Sequence, residues 1–192
     1  QAEQPGRYEL LINGIRNESD LAQQVALVEQ MIAAQVDVIV IAPADSRSLL
    51  PVVRRAMEQG IVVVNIDNRF DRELLAELEL QIPFVGPDNR AGARAVGKVL
   101  AAALEPEDPV ALIGGIPGAW NARQRELGFR DAMKAAGMKI VASQAADWEQ
   151  ARAATVAAAI LNEHPDLRGF LCANDNMALG AVAAVRQAGM AD

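Results

Sequence analysis

Polar and aromatic side chains occupy the turns that follow the apolar runs of this sequence. A carboxylate, two amides and a guanidinium offer the hydrogen-bond acceptors and donors that a molecule with many hydroxyls requires. The chain has two tryptophans among 192 residues, and both stand in such turns. An aromatic ring can pack against the C–H face of a sugar, which contributes about 1 kcal/mol. The turn residues that could bind such a molecule include Asp67, Asn68, Trp120, Arg123, Trp148 and Asn174.

The same residue types also have structural uses. Aspartate and asparagine after a strand are common helix caps, which is the competing interpretation for Asp45, Asp88 and Asp175. Arg123 and Arg125 would then be solvated helix residues, and Trp148 would pack at the start of a helix. No single turn decides between the two interpretations.

Signatures of catalysis and metal binding are missing from the sequence. Its one histidine, His164, stands in a helix-ending turn, and its one cysteine, Cys172, stands in an apolar run and is expected to be buried. Neither a Cys/His metal cluster nor a nucleophile elbow is present. The glycine-rich stretch 114–118 lacks the spacing and the lysine of a phosphate-binding loop. We therefore predict a binding protein without catalytic residues, metal or cofactor; an enzyme on the same architecture is the least favoured alternative.

Composition narrows the choice of partners. The chain is 52% hydrophobic and carries a net charge of −7, without the basic excess that nucleic-acid binding requires. No apolar run approaches the roughly 20 residues of a membrane-spanning helix. The chain begins at Gln1 on a polar stretch, which we interpret as the result of processing or trimming.

Strand-like and helix-like patterns alternate along the whole chain. Continuous β-branched runs such as 37–42 indicate strands covered on both faces, and regular alternation with helices predicts parallel sheets in an α/β fold. A weak helical pattern lies in the acidic connection 67–81. The predicted strands are 8–13, 37–42, 61–66, 82–85, 110–114, 139–144 and 169–173, and the main predicted helices are 18–35, 45–59, 88–103, 119–136, 148–163 and 176–189.

The pattern restarts after residue 86. A glycine and a proline, Gly86 and Pro87, suit a fixed bend between two units there. We predict a first lobe at 1–86 and a second at 87–192. Ligands of open parallel sheets lie beyond the carboxyl ends of the strands, where the candidate residues stand.

Seven segments match, in order, the turns of one known family: 34–46, 64–68, 85–89, 115–118, 122–129, 147–148 and 173–180. Through them the chain resembles the type I periplasmic sugar-binding proteins, most of all the ribose-binding-like branch that serves ABC importers. The resemblance implies two Rossmann-like lobes that close by a hinge on a monosaccharide or polyol. It also implies a periplasmic monomer that docks on a membrane permease. The effector-sensing core of a LacI-type repressor shares this fold and is the alternative, which would need a DNA-binding domain upstream.

The resemblance also assigns roles and reveals departures. It implies that Asp67 is the acidic ligand residue, that Arg123 holds sugar hydroxyls, and that Trp148 stacks on the ring while Asn174 contributes an amide. Asn68 stands where ribose-binding members often have arginine, which weakens the expectation of ribose, and Trp148 is bulkier than the usual phenylalanine. The family's first strand and helix would precede residue 1 and its last strands would follow residue 192. Both lobes are therefore expected to be incomplete.

Overall fold

The structure is a computed structural model that describes residues 7–190. Helices and parallel strands alternate along it, which confirms the predicted α/β class. The strands are β1 (Val38–Ile41), β2 (Val62–Ile66), β3 (Phe84–Val85), β4 (Pro109–Gly114), β5 (Lys139–Ala145) and β6 (Gly169–Cys172). The helices are α1 (Leu21–Ala33), α2 (Leu50–Glu58), α3 (Arg72–Glu77), α4 (Asn89–Ala101), α5 (Trp120–Ala135), α6 (Gln150–Glu163) and α7 (Asp175–Gln187).

The chain divides into two compact units. The first contains the chain up to Ile66 together with Phe70–Phe84, and the second contains Asp67–Arg69 together with the chain from Val85 onward. The sequence does not predict that three residues following β2 belong to the second unit. One hydrogen bond that holds them there is donated by the Asn121 N–H of α5 to Oδ1 of Asn68.

The sheet of the first unit has the strand order β1-β2-β3, with β1 and β2 parallel. Helices α1 and α2 pack on the face that carries Ile39 and Ile41, and these side chains are buried. Val38 and Val40 point to the opposite face, where they are 50% and 58% exposed. The expectation that this strand is covered on both faces is therefore wrong, because both helices lie on the same face of the sheet.

The predicted strand 8–13 does not form. No strand includes these residues, and Tyr8, Leu10, Leu11 and Ile12 are all more than half exposed. A strand exists only as part of a sheet, and neither sheet within residues 7–190 includes this segment.

The second unit contains a three-stranded sheet of order β5-β4-β6, and both β5 and β6 run parallel to β4. Four consecutive residues of β4, Val110, Ala111, Leu112 and Ile113, are fully buried. Because successive side chains of a strand point to opposite faces, this central strand is covered on both. The carboxyl ends of β4, β5 and β6 lie along one edge, where the chain turns into α5, α6 and α7.

Two glycines allow the helices of this unit to pack closely in pairs. A Cβ on Gly128 of α5 would lie 2.3 Å from the carbonyl oxygen of Arg90 on α4. A Cβ on Gly180 of α7 would lie equally close to the carbonyl oxygen of Gln150 on α6, at 2.3 Å. Arg90 also forms a two-pronged ion pair with Asp131 of α5, at 2.7 and 3.0 Å, which holds the pKa of that carboxyl below its usual value. The close packing of α4 on α5 and of α6 on α7 thus fixes the positions of the helix N-termini, where the candidate site lies.

Candidate ligand-binding site

Arg125 connects three turns at the carboxyl edge of the second sheet. Its Nε donates a hydrogen bond to Oδ1 of Asn89, the first residue of α4, at 2.8 Å. Its Nη1 donates to the carbonyl oxygen of Ala173, directly after β6, at 2.6 Å. The guanidinium carbon lies 5.5 Å from the centre of the Trp148 ring. One cation therefore links α4, α5, the end of β6 and the turn before α6.

Arg125, two residues after the predicted ligand contact Arg123, is the arginine that lies against Trp148. Residues two apart on a helix point about 200° apart, so only one of the two arginines can face the sheet edge. The structure turns Arg125 toward Trp148 and leaves Arg123 exposed on α5. The contact of Arg123 with sugar hydroxyls stays a prediction.

Trp148 precedes α6 and does not open it. Helix α6 begins at Gln150, and both Asp147 and Trp148 adopt left-handed backbone conformations, with φ of +51° and +69°. Such a conformation is uncommon for a bulky aromatic residue and costs about 1–3 kcal/mol, and it persists where surrounding contacts enforce it. The Asp147 carboxylate forms an ion pair with Arg152 on the first turns of α6. The backbone strain is thus stored at the residue that carries the aromatic ring.

Asn174 uses both ends of its amide within the protein. Its Oδ1 accepts the Met177 N–H at 2.8 Å, so that it caps α7, and its Nδ2 donates to the Trp148 carbonyl oxygen at 3.2 Å. The prediction that Asp175 caps this helix is wrong by one residue, because Asn174 is the cap and Asp175 is the first residue of α7. Asn174 therefore ties the start of α7 to the backbone of Trp148.

Asn68 caps a helix that is remote in sequence. Helix α5 has Ala119 at its N-cap position, which offers no side-chain acceptor. The Oδ1 of Asn68 takes that place and accepts the Asn121 N–H at 3.1 Å, and Asn68 is only 4% exposed. The sequence predicted a ligand contact for this residue, whereas its acceptor is engaged at the start of α5. Trp120, the other predicted aromatic, is the first residue of that helix and is half-buried.

Asp67 follows β2 in a left-handed conformation, with φ of +56°. Its N–H donates to the carbonyl oxygen of Val85, at 3.2 Å, and the residue is exposed. A strained aspartate at the end of a strand fits a carboxylate that is presented rather than packed. Its role toward a ligand stays a prediction.

The remaining predicted caps have separate outcomes. Asp88 caps α4 by accepting the Ala91 N–H at 2.9 Å, as predicted. Asp45 accepts the N–H groups of Arg47 and Ser48, at 2.9 and 2.7 Å, and so stabilises the turn before α2 rather than the helix itself, which starts at Leu50.

A groove of about 970 Å³ runs along β6 within the second unit. Its long walls are mostly apolar and include Phe170 of β6 and Val182 and Val185 of α7. Polar groups lie where Arg125 and Asn174 line it. Trp148 does not line this groove, which therefore adjoins the candidate site at Arg125 and Asn174 without containing it.

Two negative observations concern residues 7–190. No group of three or more histidine, cysteine or carboxylate side chains in this range is placed to hold a metal ion. Nor is any helix in this range both long and apolar enough to cross a membrane.

Cys172 is partly buried at the end of β6, and burial raises the pKa of its thiol to about 12.

Polar side chains lie beyond the strand ends of the second unit, which is where open parallel α/β sheets bind their ligands. The chain belongs to the periplasmic binding protein domain family, whose model matches residues 1–192. This confirms the family-level resemblance drawn from the seven segments.

Several relatives have sugar-binding names. The chain is 56% identical over 191 residues to the D-ribose/D-allose-binding protein of Pseudomonas aeruginosa. The alignment covers 100% of this chain and 60% of that protein. It is 35% identical to the D-allose-binding periplasmic protein of Escherichia coli, over 90% of this chain and 57% of that protein. The chain therefore spans about 60% of the length of these relatives.

Solved structures give the same result. An ABC transporter solute-binding protein from Burkholderia multivorans, determined with an unknown ligand, superposes with a TM-score of 0.97 at 53% identity, covering 99% of this chain and 67% of that one. A periplasmic solute-binding protein from Actinobacillus succinogenes with bound D-allose superposes with a TM-score of 0.83 at 41% identity, covering 88% and 61%. The parallel α/β arrangement is therefore that of known solute-binding proteins.

Proposed function

We propose that the protein to which this chain belongs is a periplasmic solute-binding protein of an ABC importer, which binds a monosaccharide or polyol without changing it chemically. The observation that carries this proposal is the arrangement of Arg125 against Trp148 at the strand ends of the second unit. The sugar-binding names of the relatives support the ligand class. Those names, which belong to import and binding proteins, favour this function over the LacI-type alternative.

The Arg125 guanidinium still has donors to offer. Two of its five N–H groups bond to Asn89 and Ala173, and the others have no partner among residues 7–190. Hydrogen bonds from a charged donor contribute about 1.5–3 kcal/mol each. A guanidinium already held by two bonds loses little conformational freedom when a hydroxyl binds the remaining donors. Arg125 is therefore the residue that we propose as the main polar contact.

Trp148 provides the apolar half of the proposed site. Its ring adjoins the guanidinium, so that a sugar bound there would find a donor group and an aromatic surface side by side. The other proposed contacts are Asp67, Asn68, Trp120, Arg123 and Asn174. Asn68 and Asn174 already use side-chain atoms in hydrogen bonds within the protein, so they have lower priority. A monomer that closes its lobes on the ligand and then docks on a membrane permease completes the proposal.

A thermal-shift and calorimetric screen tests this function on the full-length protein. The panel contains D-allose, D-ribose, other aldopentoses and aldohexoses, and cyclic polyols such as myo-inositol. We expect one of these compounds to raise the melting temperature and to be recovered unchanged after incubation. A panel in which none binds, or in which the bound compound is converted, would overturn the proposal.

A further inference from the structure

Gly115 and Trp148 are in direct contact at the carboxyl end of β4. A Cβ on Gly115 would lie 2.2 Å from both Cη2 and Cζ2 of the Trp148 ring, and 2.3 Å from Cε2. All three atoms belong to the six-membered ring of the indole. These distances are far shorter than any non-bonded contact between carbon atoms. A side chain at residue 115 therefore cannot coexist with the present position of the ring.

The backbone of Gly115 does not itself require glycine. The glycines with positive φ among residues 7–190 are Gly60, Gly137 and Gly189, and Gly115 is not one of them. The preceding residue, Gly114, shows how much room this turn otherwise has: a Cβ there would meet its nearest neighbour, the Gln144 carbonyl oxygen, at an ordinary 3.8 Å. The atoms nearest to a side chain at residue 115 are therefore those of the indole.

The ring has no hydrogen bond of its own to fix its orientation. Its Nε1 is shielded from solvent and finds no acceptor among residues 7–190. Its position depends instead on the strained backbone of residues 147–148, on packing against the core of the second unit, on Arg125 and on the space left at Gly115. Removing that space would move the ring, because no directional bond would hold it in place.

We infer that Gly115 is a positioning residue for ligand binding: its missing side chain seats the six-membered ring of Trp148 and so holds the ring beside Arg125. The inference rests on the proposed function for its effect on affinity, but the seating of the ring stands apart from any ligand. Gly115 does not contact the ligand; it acts through Trp148. The size of residue 115 thereby limits the size of the aromatic side chain that residue 148 can carry.

The first test uses fluorescence and needs no ligand. In a full-length protein in which Trp148 is the only remaining tryptophan, with Trp120→Phe and any others replaced likewise, Gly115→Ala is compared with Gly114→Ala. We expect Gly115→Ala to shift the emission maximum and to increase acrylamide quenching at least twofold, while Gly114→Ala changes neither. An unchanged spectrum and unchanged quenching in Gly115→Ala would overturn the inference, even if no sugar is found to bind.

The second test is a double-mutant cycle in the protein that retains Trp120, with the sugar identified in the screen. We expect Gly115→Ala to weaken binding at least tenfold when residue 148 is tryptophan. In the Trp148→Phe background, where the smaller ring lacks the atoms that the methyl group would meet, the same change should cost less than threefold. Equal losses in both backgrounds, or failure to fold in both, would overturn the inference. Failure to fold only in the tryptophan background would support it.

Discussion

The guanidinium of Arg125 lies 5.5 Å from the centre of the Trp148 ring while it donates to the carbonyl oxygen of Ala173. A cation against an aromatic ring contributes about 0.5–2 kcal/mol, depending on how far it is desolvated. Asn174, directly after Ala173, donates to the Trp148 carbonyl oxygen. The two turns are therefore tied together twice, once through the Arg125 guanidinium and once through the Asn174 side-chain amide, before any ligand arrives.

Replacing Arg125 with lysine tests the proposed polar contact. Lysine keeps the charge but loses the planar fork that reaches Asn89 and Ala173. We expect Arg125→Lys to weaken sugar binding about 10- to 100-fold, as the loss of one or more charge-assisted hydrogen bonds implies. Titration calorimetry measures this directly. Arg123→Lys, on the exposed side of the same helix, is the matched comparison and should stay within twofold of the unmodified protein. A loss as large as that of Arg125→Lys would show that Arg123, and not Arg125 alone, holds the sugar.

The sequence predicts the fold class but not which arginine of α5 faces Trp148. Strand and helix alternation fixed the α/β class, because it depends on patterns within single segments. Which of Arg123 and Arg125 faces Trp148 depends on the rotation of α5 about its axis, which the close packing of Gly128 on α4 constrains. No pattern local to α5 contains that information.

The capping residues show the same limit. The Asp88 cap could be predicted, since cap and helix are adjacent in sequence. The cap of α5 could not, because Asn68 and Asn121 meet only in the folded unit. The strand expected at 8–13 failed for a related reason: its apolar pattern was visible, but a pairing partner is a property of the sheet.

Asn68 should therefore matter for stability as well as for any ligand contact. We expect Asn68→Ala to lower the free energy of unfolding by about 0.5–2 kcal/mol, the usual cost of a lost N-cap. Asn68→Asp keeps the acceptor at the start of α5 and should recover most of the loss. Urea denaturation followed by circular dichroism measures both, with Asp88→Ala as a matched change at a local cap. If Asn68→Ala proved as stable as the unmodified protein, the assignment of Asn68 as the cap of α5 would be wrong.

Burial of Cys172 predicts a specific alkaline dependence of stability. The pKa of this thiol is raised from 9.0 to about 12 by burial. Below pH 9 both folded and unfolded states keep the proton, so this group adds no pH dependence. Between pH 9 and 12 only the unfolded thiol ionises, so the free energy of unfolding should fall as the pH rises. We expect that fall to be steeper in the unmodified protein than in Cys172→Ser, as measured by urea unfolding at several pH values; parallel curves would contradict it.

Left-handed residues away from the site offer a simple gain in stability. Gln35 follows the end of α1 with φ of +53°, a position that glycine adopts without steric cost. We expect Gln35→Gly to raise the free energy of unfolding by about 0.5–1 kcal/mol, since relief of strain exceeds the added freedom of the unfolded chain. Sugar affinity should not change, because Gln35 is in the first unit and remote in sequence from the candidate site. A decrease in stability would show that the side chain of Gln35 contributes more than its strain costs.

The same substitution at Asp147 should behave differently. Asp147 has nearly the same φ, +51°, but it immediately precedes Trp148, and its carboxylate pairs with Arg152. Glycine there would relieve strain and also release the turn that presents the indole. We expect Asp147→Gly to weaken sugar binding several-fold while changing the free energy of unfolding by less than about 1 kcal/mol, because relieved strain offsets the lost ion pair. Calorimetry and urea unfolding on the same preparation separate the two effects. If affinity were unchanged while stability rose as in Gln35→Gly, the strained turn would have no part in presenting Trp148. A loss of affinity without a loss of stability would mean that the backbone strain at residues 147–148 persists because it holds the aromatic ring in its binding position.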